Sequence, residues 1–430
     1  MKVKKVKKSL FIALLIITLN IIAVPLASAA DPTVSVNGNA GFTPAGFSGT
    51  GAPGDPYILE NKNIDASSAN GIDIENTDAY FVIKNCTVYD GGSSFDGIYL
   101  ENVTHGRIEN CTVYNNTVGI YLYLSSNYNN ITGNTAYNNT AGIVLSTSSN
   151  NSTLTSNTVY NNIAGIVLST SCDNTLIGNT AHNNTLYGIF LYTNCDNNTL
   201  TGNTACNNTN IGIVLSTGCN NNTLIGNTAC NNTYYGIVLS TSCNNNTLND
   251  TYVHNMVWDF ASDGTCADNV AYNFHISCYP TNISFTYGNG IALVGVPIGS
   301  LPPTPLGLKG IRMYVNATNA TATSWILLNI SYADPDVLGV YEETLMIYRW
   351  NGTAWVPADG SGVNGVNTAE NYAYANITEF SNFGVLGKAI PPVGGFVLPA
   401  EFPSYSVMFI IVAIAASAAA TIFARRKLQP

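Results

Sequence analysis

The sequence predicts an all-β protein: a right-handed parallel β-helix, a small β-sandwich after it, and a C-terminal transmembrane helix. Three observations carry that prediction. The dipeptide Gly-Ile recurs at Gly71, Gly97, Gly119, Gly142, Gly165, Gly188, Gly212 and Gly236, with steps that settle at 22 to 24 residues. Between these dipeptides, short alternating runs are punctuated by Asn, Ser, Thr and Gly, and no stretch keeps a helical period. A run of 23 uncharged residues, 402–424, precedes Arg425, Arg426 and Lys427.

A unit of about 23 residues holds three short strands and three turns, too few to bury an apolar side alone, so neighbouring coils must stack into one core. Strand alternation turns Ile143 and Leu145 inward and Val144 outward, with Leu154 and Ala136 also inward. The Leu-x-x-Leu-x-Leu signature of a leucine-rich repeat is absent, and parallel crossovers default to the right hand. Stacked coils turn each equivalent position into a ladder with rungs about 4.8 Å apart. Asn134, Asn157, Asn179, Asn203 and Asn227 form one ladder, whose amides can bond one another and the turn backbone.

These repeats resemble the parallel β-helix repeats of NosD-like proteins and of carbohydrate-binding and sugar-hydrolase domains. The segment Asp55-Pro56-Tyr57-Ile58-Leu59-Glu60-Asn61, followed by Gly71-Ile72-Asp73-Ile74-Glu75-Asn76-Thr77, resembles the N-terminal coil of archaeal cell-surface members. The resemblance covers about 50–280 and implies a scaffold rather than a reaction.

The order of segments follows. Residues 1–30 read as a signal peptide: Lys2, Lys4, Lys5, Lys7 and Lys8, an apolar stretch, then Ala27-Ser28-Ala29-Ala30. Residues 31–283 are the β-helix with its N-terminal cap, and 284–388 the sandwich, where longer alternating runs replace the Asn-rich period. Tyr348-Arg349-Trp350-Asn351-Gly352 and the stretch from Thr378 to Gly384 resemble a membrane-proximal module of archaeal surface proteins, which implies a stalk role. Residues 389–403 form a Pro/Gly stalk, 404–424 the transmembrane helix and 425–430 a cytoplasmic basic tail. The tail also resembles an archaeal sorting signal around Ala400-Glu401-Phe402-Pro403-Ser404, although that family carries Pro before Glu-Phe. The expected location is therefore the cell surface, with anchoring by the helix or by lipid after sorting.

Charge narrows the partners. Residues 31–404 hold 7 basic and 25 acidic residues, and no Lys or Arg lies between Arg107 and Lys309. Such a surface repels phosphate backbones and so excludes nucleic acid; glycans, envelope proteins and the membrane remain as partners. No resident cofactor is called for, calcium being the one cation left open.

Candidate site residues follow from the registers. An outward stripe of Tyr99, Tyr121, Val144, Val167, Phe190, Val214 and Val238, with Tyr123 and Tyr192 beside it, offers aromatic faces to sugar rings. Glycan binding would rest on Tyr99, Tyr121, Tyr123, Phe190 and Tyr192. A second outward register runs Tyr89, Tyr114, Tyr137, Tyr160, His182, Cys206, Cys230 and His254. Its His182, Cys206, Cys230 and His254 suggest zinc or copper. Four rungs span roughly 14 Å, however, whereas tetrahedral ligands lie about 2.0–2.3 Å from one ion. The acidic first coils, with Asp73, Glu75, Asp90, Asp96, Glu101 and Glu109 near Lys84 and Arg107, are where lyase chemistry would hide, yet no motif selects a catalytic residue. Asp173 and Asp196 are a weaker carboxylate pair placed in one turn register.

Ten cysteines in an exported chain are disulfide candidates. Cys172, Cys195, Cys219 and Cys243 are placed in one turn register, Cys206 with Cys230 in another, and Cys86 with Cys111 in a third. The expected pairs are Cys86–Cys111, Cys172–Cys195, Cys206–Cys230, Cys219–Cys243 and Cys266–Cys278, with Cys195–Cys219 equally open geometrically. Sequons at Asn282, Asn316, Asn329, Asn351 and Asn376 mark the sandwich for glycosylation. The functional expectation is a non-catalytic surface protein with a structural, adhesive or glycan-binding role. A polysaccharide lyase or glycoside hydrolase is the alternative, and a NosD-like copper-maturation protein the third reading.

Overall fold

The structure is a computed structural model, and it describes residues 30–276, 281–296, 301–358 and 362–391. Within it the repeat folds as a parallel β-helix of the right-handed type. Each central coil contributes one six-residue strand to a long-strand sheet, for example Ala141–Ser146, Ala164–Ser169 and Tyr187–Tyr192. It contributes two three-residue strands, such as Thr153–Thr155 and Thr158–Tyr160, to the other wall. All rungs pair in parallel, so Ile143, Ile166, Ile189, Ile213 and Ile237 superpose down the axis. These isoleucines are fully buried with Leu145, Leu168, Leu191, Leu215 and Leu239, in a core that continues unbroken from Val34 to Val385.

The turns are held by Asn. Asn157 Oδ1 accepts from the Asn134 backbone N–H and side-chain amide at 2.9 and 3.0 Å, while Asn157 Nδ2 donates to Ile131 O at 2.8 Å. The same pattern passes on through Asn179, Asn203 and Asn227. A second ladder runs Asn116, Asn139, Asn162, Asn184, Asn208, Asn232 and Asn255. A third includes Asn174, Asn198, Asn222, Asn246 and Asn269. Along these ladders the buried amides thus both donate and accept, which buried polar groups require.

The glycine of each Gly-Ile dipeptide answers a close approach. A Cβ at Gly165 would sit 2.4 Å from Gly188 O and 2.9 Å from Asn184 Nδ2. Gly165→Ala is therefore expected to destabilise by about 1–3 kcal/mol, the cost of overpacking, read as a lower denaturant midpoint. An unchanged midpoint would mean the coils slide apart freely.

After the last coil the same two sheets continue as antiparallel strands. Ile291–Gly295 pairs antiparallel with Trp258–Ser262, then with Leu308–Asn319, which pairs with Asn382–Lys388. On the other wall Thr281–Gly288 joins Val270–Ile276 to Trp325–Ser331 and Tyr372–Ile377. The module thus shares its sheets and core with the solenoid.

Asp259 makes the junction. It ends the second Asn ladder, its Oδ1 accepting from the Asn255 backbone N–H at 2.9 Å, while its Oδ2 accepts from Gly295 N–H at 3.0 Å. Burial lifts its carboxyl above the ordinary range, against the hydrogen bonds from Gly295 and Asn255 that lower it. An asparagine there presents only one acceptor oxygen. Asp259→Asn should therefore leave the Gly295 N–H facing an amide and cost about 1–3 kcal/mol, measured by chemical denaturation.

Candidate functional site

The outer face of the long-strand sheet begins at Ile72–Thr77, Ile98–Val103 and Val118–Tyr123. Rung pairing sets Asp73 against Tyr99 and Tyr99 against Tyr121, and beside them Glu75 against Glu101 and Glu101 against Tyr123. Three tyrosines and three carboxylates thus share one outward patch. The Tyr99 ring lies 5.6 Å from Tyr121 and 6.3 Å from Tyr123, and its hydroxyl donates to Glu101. Burial, and then that hydrogen bond, push the Tyr99 hydroxyl far up in pKa.

The carboxyls are strained electrostatically. Burial raises Asp73, the Asn70 amide opposes the rise from 3.0 Å, and Glu101 adds repulsion. Asp73 Oδ1 is buried with no hydrogen-bond partner. Burial also raises Glu75, reinforced by Asp73 and Glu101, and it raises Asp96. Where the strands end, a notch of about 510 Å³ is lined by Asn39, Asn76, Thr77, Asp78, Asn102 and Thr104. Asn76 and Asn102 hold left-handed backbone there, and Asn39 donates to Asp78 at 2.8 Å. These notch residues escape sequence reasoning because Asn39 comes from the non-repeating cap. The arrangement offers ring faces, carboxylate acceptors and amide donors, which is hydroxyl-binding chemistry.

Phe190 and Tyr192 do not join this patch. They form a second group with Tyr187, at 4.7 and 5.4 Å between successive rings, and Val144 and Val167 occupy the rungs between the two groups. Nor do the basic residues converge on it. Lys84 and Arg107 lie on the opposite wall, where Lys84 pairs with Glu60 at 3.0 Å and Arg107 with Glu109.

The second outward register is a ring stack. Tyr89, Tyr114, Tyr137, Tyr160 and His182 follow at 5.5, 4.9, 5.1 and 5.2 Å, with planes within 12° of parallel. Cys206, Cys230 and His254 continue the same row. Cys206 and Cys230 are joined in a disulfide, Cα–Cα 4.6 Å, so neither sulfur is a free thiolate for a metal. Among the described residues no cluster of three or more His, Cys, Asp or Glu is arranged to hold an ion. His105 stacks on Tyr80 at 4.3 Å and His275 on Tyr252 at 4.4 Å.

The remaining cysteines correct the sequence reading. Cys86, Cys111, Cys172, Cys195, Cys219, Cys243 and Cys266 are thiols. Cys172 stands one position off the expected register: its N–H donates to Asn150 Oδ1, and its sulfur accepts from Asp196 N–H. The turn carrying it is one residue shorter, since Ser171 bonds Ser169 O where Ser149 bonds Ser146 O. Cys172 and Cys195 therefore do not share a register, and neither do Asp173 and Asp196, although the Asp173 N–H donates to Asp196 O at 3.1 Å. Cys266 stacks under Cys243, its sulfur accepting from the Cys243 N–H at 3.3 Å. Cys278 lies outside the described residues.

Of the sequons, Asn351 is exposed on the Trp350–Trp355 turn, its Oδ1 accepting from Thr353 and Ala354. Asn282, Asn316, Asn329 and Asn376 sit half-buried within strands. The signal peptide up to residue 29, the stalk from 392 and the 404–424 helix lie outside the described residues. Among the described residues no helix is long and apolar enough to cross a membrane.

The raised Asp73 carboxyl has a consequence. Its folded-state pKa stands above the unfolded value, so the proton favours the fold, and that contribution is lost as pH rises through the folded pKa. Asp73→Asn keeps an oxygen for Asn70 and removes the buried charge. It should raise the melting temperature modestly at neutral pH, with the gain fading as pH falls through the raised pKa. A gain of equal size at acid pH would contradict the electrostatic cause.

Residues 49–251 match the family model described as periplasmic copper-binding protein (NosD). Over those residues the parallel β-helix is similar to the NosD family. No curated protein matches the chain. Among solved structures, the periplasmic alginate epimerase AlgG is similar at 19% identity and TM-score 0.39, over 47% of this chain and 59% of that one. Pectate lyase Pel9A is similar at 13% identity and TM-score 0.34, over 44% and 62%. ORF18 of Geobacillus virus E2 is similar at 13% identity and TM-score 0.46, over 86% and 80%. This chain thus spans less than two thirds of the epimerase and of the lyase.

Proposed function

We propose that this protein is an exported, surface-anchored β-helical rod that binds glycan on the first coils and does not turn it over. The observation that carries the reading is the outward patch in which Tyr99, Tyr121 and Tyr123 share adjacent rungs with the carboxyls of Asp73, Glu75 and Glu101. The tyrosines supply the apolar faces that sugar rings stack on, and the Glu75 and Glu101 carboxylates beside them supply acceptors for sugar hydroxyls. Calcium would bind in the same place, between carboxylates that repel one another. The export reading draws support from the basic and apolar N-terminal stretch and from the periplasmic family that matches the repeat.

A polysaccharide lyase or glycoside hydrolase is the second reading, favoured by the raised Asp73 and Asp96 carboxyls near Tyr99. Against it, the bases such chemistry needs are tied into ion pairs on the other wall. The copper-maturation reading finds no free thiolate at Cys206 or Cys230.

The test is a glycan-array screen of the purified chain, with and without calcium, reading bound signal and released sugar together. Binding without products is expected, and Tyr121→Ala should weaken it about tenfold, equivalent to about 1.4 kcal/mol. Unsaturated or reducing sugars in the supernatant would establish the enzyme reading instead. Binding unaffected by Tyr121→Ala would move the site away from these coils.

A further inference from the structure

Four thiols stand in one line. Cys195, Cys219 and Cys243 each donate from the turn after a long strand to the carbonyl three residues back, at 3.3, 3.1 and 3.1 Å, and Cys266 occupies the next rung. Earlier coils use serine for that bond: Ser126 to Tyr123 O and Ser149 to Ser146 O. The turn therefore needs only a small donor, and serine supplies a better one than a thiol. The change to cysteine over four successive coils is not explained by the turn. Each sulfur lies beside the next: Cys195 by Cys219, Cys219 by Cys243, and Cys243 by Cys266. All four are at most 2% exposed.

The closed bond nearby shows what this spacing permits. Cys206 and Cys230 lie in one register on adjacent coils, with Cα atoms 4.6 Å apart, within the bridging range. They belong to the coils that end in Cys219 and Cys243. A bond between Cys219 and Cys243 would clip that pair of coils a second time and strand Cys195 and Cys266 as thiols. The other pairing leaves no thiol over and clips each step once.

We infer that in an oxidising compartment the line closes as Cys195–Cys219 and Cys243–Cys266, which with Cys206–Cys230 forms a covalent ladder across four consecutive coils. Each closure is a thiol–disulfide exchange. Two cysteine thiols give up two protons and two electrons to one small-molecule or protein disulfide, which leaves as two thiols. Because the sulfurs are buried once coils stack, closure precedes complete stacking. The product is a solenoid that cannot peel coil by coil just before the antiparallel module.

The test takes the full chain exported to an oxidising compartment, denatures it in acid, alkylates it and maps peptides without reduction. Pepsin is the protease, since no Lys or Arg lies between Arg107 and Lys309. Linked peptides Cys195–Cys219, Cys206–Cys230 and Cys243–Cys266 are expected. In Cys219→Ser, Cys195 should become alkylated while Cys243–Cys266 persists. A Cys219–Cys243 link with Cys195 and Cys266 alkylated would overturn the inference, as would four alkylated thiols beside an intact Cys206–Cys230 bond.

Discussion

The distance between one coil and the next, about 4.8 Å, is the constraint on which the rest of the molecule depends. At that spacing every turn is covered by the turn of the following coil, so its backbone N–H and C=O groups lose water and need partners within the stack. Asparagine meets the need because one short side chain carries both an acceptor and a donor. Asn157 accepts from Asn134 and donates to Ile131 O, and each rung repeats the exchange. Glycine meets the complementary steric demand, since any Cβ at Gly165 would collide with the carbonyl of Gly188. The composition of this chain, rich in Asn, Thr and Gly and poor in charge, is the composition of a turn ladder.

Much of this was legible in the sequence because a ladder converts spacing into contact. Strand alternation and a steady period were enough to place Tyr114, Tyr137 and Tyr160 on one outward row, and to bring Cys206 to Cys230. The reading failed where the period slipped inside a turn rather than a strand. The strands carrying Ser146 and Ser169 stay in register, yet the turn after Ser169 is one residue shorter, and Cys172 moves out of the cysteine line. Nothing in a residue count says which side of a strand absorbs a deletion. The acidic first coils were misjudged for a related reason: charges close in sequence were divided between two walls by strand assignment. Lys84 and Arg107 went to one wall, and Asp73, Glu75 and Glu101 to the other.

The antiparallel module shows what no periodic pattern reports. Its strands alternate as an independent sandwich would, but Ile291–Gly295 adds to the edge left open by Trp258–Ser262. An open parallel edge is a template for further pairing, and here the chain's own next strands occupy it. Asp259 makes the handover polar as well as geometric: at the end of a ladder of amides it is the one side chain required to accept on both oxygens. An Asp at that rung is the signature of a junction, visible only once its second partner is known.

A scaffold this regular also makes its exceptions informative. Among the described residues, the buried side-chain polar atoms without a partner are Asp73 Oδ1 and four atoms of the antiparallel module, on Thr281, Asn282, Tyr287 and Asn376. The parallel coils satisfy their amides and hydroxyls rung after rung and then leave one carboxylate oxygen bare, beside two further carboxylates and three tyrosines. Stability alone would favour asparagine there, as it does throughout the ladders. Proteins retain such a local cost where a site needs it. The unpartnered oxygen of Asp73 is the one exception that the parallel coils do not explain by their own stacking, and it falls on the rungs that carry Tyr99, Tyr121 and Tyr123 with Glu75 and Glu101.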